Sequence, residues 1–425
     1  MKRSMLSMIM VVLVAAVPAW GAGLWLYEGG TPDLGTAGAG RAALAADAST
    51  AGANPAGMTR LERSQMLVAV QGIYADSRFD TDVASFGGGD GGNAGGFIPA
   101  GGLHYVHSLT EDFKMGVSMG SYFGLGVDYG DNWAGRYYVT EAALTTLGIN
   151  PGAGYRVNDW LSLGAGFSIM YAELAQKAAI NNGAVPGQAG LPDGQLKIED
   201  DDLGYGFNLG LLLEPRADTR IGVTYRSEVD LTFKDVGQLK DIGPVLQGIL
   251  NLSGLAGSKV DIDMTIPQAV MLSGYHQIKD QWAILGNVGW QDWSAFGKQD
   301  LTLSSTTSRS FTKDLSYDDT WHFALGAQHR FAPQWLWSVG AAYDTSPVDG
   351  DDKRSPDLPL DRQIRLGTGI QYDWNDDVTV GLAYEYLDAG DAGIDQKGGP
   401  LQGDLKGDYG TNAIHFMAVN MIWKF

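Results

Sequence analysis

The stretch DVTVGLAYEYLD, residues 377–388, alternates strictly between apolar side chains and small or polar ones. The apolar set is Val378, Val380, Leu382, Tyr384 and Tyr386. Successive side chains of a β-strand point to opposite faces, so this stretch reads as a strand with one apolar face and one small or polar face. The same period of two recurs along the rest of the chain and determines the predicted fold.

Strands of this kind recur along the whole sequence, and their connections alternate between short and long. The predicted strands are residues 65–78, 97–108, 112–122, 147–157, 160–173, 203–214, 219–233, 259–278, 281–294, 317–331, 334–343, 361–373, 377–388 and 410–425. The long connections are 79–96, 123–146, 174–202, 234–258, 295–316, 344–360 and 389–409. Tight turns at one end and long loops at the other are typical of outer-membrane barrels. The sequence therefore predicts an all-β, transmembrane antiparallel β-barrel of about 14 strands.

The chain begins with a predicted signal peptide, residues 1–21. Lys2 and Arg3 precede an apolar run from Met5 to Val17, and small residues follow. That run is shorter than the ~20 residues a membrane-spanning helix needs. We expect a hatch domain at 22–63 and the barrel at 64–425.

Composition excludes other classes of protein. The net charge is -20, no basic run is present, and the chain has no Cys. A nucleic-acid surface needs clustered Lys and Arg, so nucleic acid is not an expected partner. No later stretch has the ~18 consecutive apolar residues of a transmembrane helix.

The last strand ends in an aromatic residue, Phe425. Stepping back by two gives further apolar side chains: Trp423, Met421, Val419 and Met417. A terminal strand of this pattern is what the barrel-assembly machinery of the outer membrane recognises. The sequence therefore predicts that the protein is located in the outer membrane of a Gram-negative bacterium.

Residues 22–63 are rich in Gly and Ala and show no alternation. They are either a linker or a compact plug inside the barrel. A barrel of about fourteen strands is wide enough to leak without a plug, which favours the second interpretation.

The hatch segment carries a specific motif. The run GTPDLGTAGAGRAALAADASTAGANPAGMTRL, residues 30–61, contains the tripeptide Asn54, Pro55 and Ala56. Further matching runs are Gly135–Tyr138, Tyr155–Trp160, Thr224–Val229 and Asp344–Val348. This ordered set resembles the FadL/TodX family of outer-membrane transporters of long-chain fatty acids and aromatic hydrocarbons.

The resemblance implies a passive, cofactor-free transporter, acting as a monomer and not an enzyme. Its partners would be a hydrophobic small molecule, outer-membrane lipid and lipopolysaccharide. The molecule would be captured between long extracellular loops, pass to an internal pocket, and leave sideways through a gap at a kinked third strand. Glycines interrupt that strand, which places the predicted gap between Ser121 and Gly124.

Loop 234–258 is unusually apolar and has helical spacing, so it predicts an amphipathic helix. The predicted capture groove consists of Val245, Leu246, Ile249, Leu250 and Leu252. The alternative is that this helix folds onto neighbouring loops only as a lid. Lys177 lies near a position that the resemblance assigns to contact with a substrate carboxylate. The second such position falls close to Asp318, so a neutral hydrocarbon is an equally defensible substrate.

Other functions find less support. A general porin and an adhesin or receptor stay as alternatives. The G-x-S-x-G match at Gly116–Gly120 lies inside a predicted strand without the following helix that a hydrolase needs. Asp349, Asp351 and Asp352 could hold Ca²⁺, but a solvated loop is the favoured interpretation, and no metal site is predicted.

Overall fold

The computed structural model describes residues 24–25, 30–234, 237–253, 259–304 and 308–425. These residues form a closed antiparallel barrel of 14 strands. The barrel strands are β1 Gln65–Ala84, β2 Gly96–Ser108, β3 Phe113–Gly120 continued by Phe123–Asp128, β4 Glu141–Asn158, β5 Leu161–Ile180, β6 Gly194–Arg216, β7 Thr219–Arg226, β8 Ala269–Ile278, β9 Trp282–Gln291, β10 Thr320–Ala332, β11 Trp335–Asp344, β12 Gln363–Asp373, β13 Val378–Asp388 and β14 Asp404–Lys424. The predicted fold class is confirmed.

The alternation of the sequence corresponds to the two faces of the wall. On β13 the apolar side chains Leu382 and Tyr384 are exposed on the outside, while Ala383 and Glu385 are buried inside. The barrel closes where β1 pairs with β14, from Gln65 opposite Lys424 onward.

Several strands extend further into the long-loop end than predicted. β5 continues to Ile180 rather than 173, and β14 begins at Asp404 rather than 410. The predicted loops 174–202 and 389–409 are therefore too long. In β5 the extension alternates in burial but uses residues such as Gln176 and Lys177, whose polarity hides the period from a hydropathy reading.

Residues 30–63 lie inside the barrel and are almost all buried. They form short helices: α1 Thr31–Leu34, α2 Arg41–Leu44, α3 Thr50–Ala53 and a 3-10 helix, Pro55–Arg60. We call this segment the plug. Residues 1–21, the predicted signal peptide, lie outside the described residues, and the predicted domain boundaries stay predictions.

The long-loop end carries a second sheet of four strands, here called the outer sheet. Its strands are Val229–Phe233, Lys259–Ile266, Lys298–Ser304 and Ser308–Asp314. Two of them lie in the segment 295–316 that the sequence predicted as a loop. One face of the sheet buries Leu231, Phe233 and Ile262 in an apolar core that fills the lumen beyond the plug.

The remaining elements are short and cover the long-loop end. They are α4 Pro244–Ser253, α5 Trp293–Phe296, α6 Gly399–Gln402, the 3-10 helix Asn182–Ala184, and the strands Gly237–Lys240 and Ile394–Lys397, which pair with β6 and β14. The amphipathic helix predicted in loop 234–258 is confirmed as α4. Within the described ranges, no helix is both long and apolar enough to span a membrane.

Candidate functional site

The wall of the barrel is interrupted where β3 leaves β2. Pairing between the two strands ends at Gly102 opposite Gly120. The second segment of β3, Phe123–Asp128, pairs with β4 but not with β2. Further up, the Asp128 amide at the end of β3 donates to the carbonyl of Ala94, in the connection that precedes β2, at 2.8 Å. An opening in the wall therefore lies just beyond Gly120.

The predicted gap residues lie at this interruption. Ser121 falls between the two segments of β3, and Gly124 is opposite Thr145 on β4. The short strand Leu24–Trp25, which precedes the plug, pairs with β3 at Phe123 and Gly124. The N-terminal segment therefore reaches the edge of the opening.

Tyr122 connects the interruption to the plug. It is buried, its hydroxyl hydrogen-bonds the Ser118 hydroxyl, and Ser118 Oγ lies 2.9 Å from His104 Nδ1. The Arg226 guanidinium lies 4.4 Å above the Tyr122 ring. Arg226 also donates to the carbonyl of Gly52 in α3 at 3.2 Å. A chain of contacts thus runs from the broken strand through the wall to the plug.

Two small cavities meet at Tyr122 and at Arg41 of the plug. One, of about 20 Å³, lies beside the interruption, and the other, of about 60 Å³, lies further inside the lumen. The first is lined by Gln71, Ile73, Met119, Ser121 and Phe416, and the second by Asn208, Thr224, Met271 and Gln291. A cavity of 20 Å³ holds roughly one water molecule. The structure is therefore closed between the lumen and the opening.

The five predicted groove residues do not form one surface. Leu246 and Leu250 are each only 2% exposed and pack in the apolar core, with Ile249 packed against that core. Val245 and Leu252 lie on the side of α4 that faces solvent, and Leu252 is 81% exposed. The structure brings Leu246, Ile249 and Leu250 together and leaves Val245 and Leu252 facing outward.

Lys177 is engaged by a carboxylate. It forms an ion pair with Glu141 across β4 and β5, and both side chains are about one-third exposed. Asp318, expected near the second basic position, is exposed, and its amide donates to the Pro347 carbonyl at 2.9 Å. Neither residue therefore offers an available positive charge to the interior.

Another cation, Lys313, lies in the outer sheet and was not predicted from the sequence. Lys313 pairs with the buried Gln299 in the outer sheet, on the same face as the buried Leu301. Burial lowers the pKa of Lys313 to about 8, and the charge of Asp357 opposes that shift. The alternation in SRSFTKD, residues 308–314, could have revealed the strand that carries Lys313, but it lies in a stretch that was predicted as a loop.

The Asn-Pro-Ala motif fixes the plug to the wall. Asn54 Nδ2 donates to the Ala42 carbonyl at 2.6 Å and to the Leu211 carbonyl on β6 at 3.1 Å. Its Oδ1 accepts from the Ala56 amide at 3.1 Å. A Cβ at Gly210 would lie 2.1 Å from that oxygen, so the wall needs glycine there.

A closed barrel of alternating strands, an internal plug and one interrupted strand define an outer-membrane barrel whose lumen is blocked rather than open. A family model described as "Outer membrane protein transport protein (OMPP1/FadL/TodX)" matches residues 12–425. The chain belongs to this family. Its members are transport proteins rather than enzymes, and they lie in the outer membrane of Gram-negative bacteria.

Curated relatives match over nearly their whole length. A long-chain fatty acid transport protein of Escherichia coli O6:H1 is 31% identical, with 90% of each chain covered. Outer membrane protein P1 of Haemophilus influenzae is 28% identical, with 88% of each chain covered.

Solved structures share the fold. A Pseudomonas aeruginosa FadL homologue superposes with a TM-score of 0.84 at 22% identity, covering 95% of this chain and 100% of the other. The Pseudomonas putida toluene transporter TodX gives 0.69 at 15% identity, covering 96% and 100%.

Proposed function

We propose that this protein carries long-chain fatty acids passively across the outer membrane, from the long-loop end to the interruption in β3. The observation that carries the proposal is the opening beyond Gly120, next to a plug and below an apolar lumen. A fatty acid leaving there enters the lipid sideways and never crosses the plug. The gradient and partitioning into lipid are the only driving forces required.

Capture begins at α4 in this proposal. Val245 and Leu252 are exposed apolar side chains on the outer surface, where lipopolysaccharide and arriving substrate meet the protein. Leu246, Ile249 and Leu250 continue the apolar surface inward from the same helix. A hydrocarbon chain can therefore pass from outer to inner face by a small displacement of α4.

The substrate carboxylate is assigned to Lys313 rather than to Lys177. A carboxylate acts on each lysine, Glu141 on Lys177 and Asp357 on Lys313, so the choice between them rests on burial, and the Lys313 ammonium is the more deeply buried. Lys313 is half-buried on the face of the outer sheet that carries the buried Gln299 and Leu301, and partial loss of water there strengthens a charged hydrogen bond.

Release is assigned to movement of Tyr122. Its ring lies between the two cavities, and its partner Arg226 also contacts Gly52 of the plug. Displacing Tyr122 joins the cavities to the opening at Ser121 and Gly124. A movement of α3 that breaks the Arg226 contact would free the ring.

We also propose that the barrel acts as a monomer and is inserted through its C-terminal strand. Phe425 stacks on Tyr105 with ring centroids 6.1 Å apart, so the terminal aromatic is ordered against β2. In this proposal Phe425 is the residue that the barrel-assembly machinery recognises.

Aromatic hydrocarbons are the second candidate substrate, since the toluene transporter TodX shares the fold. The experiment compares uptake of radiolabelled oleate and toluene by cells that lack their own fatty acid transporter. Cells would carry the wild type, Lys313→Gln or, as a matched control, Lys177→Gln. We expect wild-type oleate uptake, and a loss of about tenfold in Lys313→Gln but not in the control, from a lost charged hydrogen bond of roughly 1.5 kcal/mol.

The outcomes separate the candidates. Toluene uptake without oleate uptake would assign the barrel to hydrocarbons. Leakage of small sugars through the intact protein, with neither compound entering faster, would make it a general porin and contradict the proposal.

A further inference from the structure

A separate cavity opens at the short-turn end of the barrel, on the periplasmic side of the plug. Its volume is about 550 Å³. It is lined by Leu44–Ala46 and Arg60–Arg63 of the plug and by residues of the wall. Its lining shares no residue with the two cavities at Tyr122. This cavity is therefore a site separate from the two cavities of the proposed transport path.

Arg220, at the start of β7, lines this cavity while only 8% of the residue is exposed. Its guanidinium lies 3.6 Å from the centroid of the Tyr275 ring. Stacking on a ring occupies the flat face of the guanidinium, and a hydrogen bond to Tyr275 uses part of its edge. The remaining in-plane N–H groups are left for other partners. Its Nε is buried and makes no hydrogen bond within the part of the chain that the structure describes.

No ion pair within 4.0 Å joins Arg220 to a carboxylate among the described residues, whereas the other arginines of the cavity are paired. The pairs are Arg60–Glu214, Arg63–Asp377 at 2.6 Å and Arg330–Asp373 at 3.0 Å. Burying a cation without a counter-charge is strongly unfavourable. Arg220 is therefore the place in this cavity where an anion gains most.

The rest of the lining suits a small oxyanion. Gln277, Gln281 and Gln328 provide neutral amide groups, and Arg60 adds a second guanidinium from the plug. The acidic lining residues Glu62, Asp280 and Asp376 are exposed. Exposed carboxylates are screened by water and salt and repel an anion bound deeper only weakly.

We propose that Arg220 binds a small oxyanion, a phosphate or a carboxylate, from the periplasmic side. The second contact is the Nε–H of Arg60, which is buried and makes no hydrogen bond within the described residues although the other end of its guanidinium is paired with Glu214. The planar guanidinium accepts two oxygens of such a group side by side. Since Arg220 belongs to the wall and Arg60 to the plug, the anion joins the two. Bound anion therefore holds the plug in place.

The test uses the purified full-length protein and inorganic phosphate as the probe, followed by calorimetry and thermal unfolding. Wild type should bind phosphate and gain several degrees in Tm, while chloride at equal ionic strength gives no gain. Arg220→Gln should weaken binding at least tenfold. The matched control Arg63→Gln, which removes a paired and exposed arginine of the same cavity, should bind as wild type does.

Two further arms keep the proposal testable. If Arg220→Gln does not fold, Arg220→Lys keeps the charge and loses the planar fork, and its phosphate affinity should fall between those of wild type and no binding. Nanodiscs of phosphatidylglycerol and phosphatidylcholine, without added phosphate, test a lipid headgroup as the source. A Tm gain in phosphatidylglycerol alone, abolished by Arg220→Gln, would assign the anion to lipid. Equal phosphate affinity in wild type and either Arg220 variant, or equal Tm gain with chloride, would overturn the site.

Discussion

Lys313 shows how burial sets the behaviour of a single residue. Its pKa of about 8, against an ordinary value of 10.5, follows from loss of water around the ammonium group. A carboxylate gains from Lys313 only while the ammonium is protonated. The proton is therefore the condition for the proposed head-group contact.

This gives a pH prediction. Oleate uptake by the wild type should fall as pH rises from 7 to 9, because the protonated fraction of Lys313 falls from about 90% to about 10%. Lys313→Gln should show a low rate with no such fall.

The effect of Lys313 on stability has the opposite sign. The unfolded chain keeps the proton on this lysine up to about pH 10.5, whereas the folded chain loses it near pH 8. Between these two pH values the folded state therefore becomes more stable as pH rises. Uptake and thermal unfolding across this range, measured on both proteins, check the two signs, and a parallel fall in the Gln variant would contradict the assignment.

The residues of the site differ in how far sequence could find them. Asn54 was predicted from its motif, and its three hydrogen bonds explain why an amide with both a donor and an acceptor is needed there. Lys313 was not predicted, since it lies in a segment assigned to a loop. Lys177 was chosen because the family resemblance assigns a carboxylate contact near that position. The resemblance contains no information on Glu141, the partner of Lys177.

At the scale of elements, α4 has two apolar sides with different surroundings. Leu246 faces the core, whereas Leu252 faces solvent. Helical spacing in the sequence predicted the helix but could not divide its apolar residues, because both sides are apolar.

The two sides predict different mutant behaviour. Val245→Asp with Leu252→Asp should raise the apparent KM for oleate several-fold and leave Tm unchanged, since exposed carboxylates cost little but repel an apolar chain. Leu246→Asp should instead lower Tm, because an isolated buried carboxylate costs several kcal/mol. Concentration-dependent uptake and thermal unfolding separate the cases. An unchanged KM in the double variant would remove the exposed side from the capture step.

The broken strand was predictable in place but not in form. Glycines in the sequence marked the region from Gly116 to Gly126 as weak. The loss of pairing with β2, the hydrogen bond to Ala94 and the strand added by Leu24–Trp25 depend on contacts between distant segments. Periodicity within one strand contains no information on such contacts.

At the scale of the whole molecule, strand number and connection pattern followed from sequence because lipid permits few solutions. A spanning sheet must pair every backbone group and place apolar side chains outside, so the period of two is imposed along each strand. The outer sheet lies beyond that constraint, and its hairpin within 295–316 was missed. The plug was predicted because residues 22–63 show no alternation and because a barrel of about 14 strands would leak without one.

Removing residues 30–60 tests the plug as a barrier. We expect the shortened barrel to admit small hydrophilic solutes, measured as faster sugar uptake or greater sensitivity to a polar antibiotic. Oleate uptake should not fall, because loss of the hydrogen bond between Arg226 and Gly52 frees the Tyr122 ring that closes the opening. Correct insertion would be checked by the shift in gel mobility on heating. An inserted barrel that stays impermeable to sugars would show that the outer loops, not the plug, form the seal.

The free edge of β2 has a consequence for wetting. From Gly96 to Gly101 no strand among the described residues pairs with the side of β2 that faces the opening. Backbone groups cannot remain unsolvated at the depth of hydrocarbon, so water must coat this edge while the opening is empty. An alkyl chain that leaves through the wall has to displace that water. While the chain lies in the opening, it keeps water away from this edge. Loss of water from a few backbone groups then adds to the barrier for passage into lipid, beside the proposed movement of Tyr122.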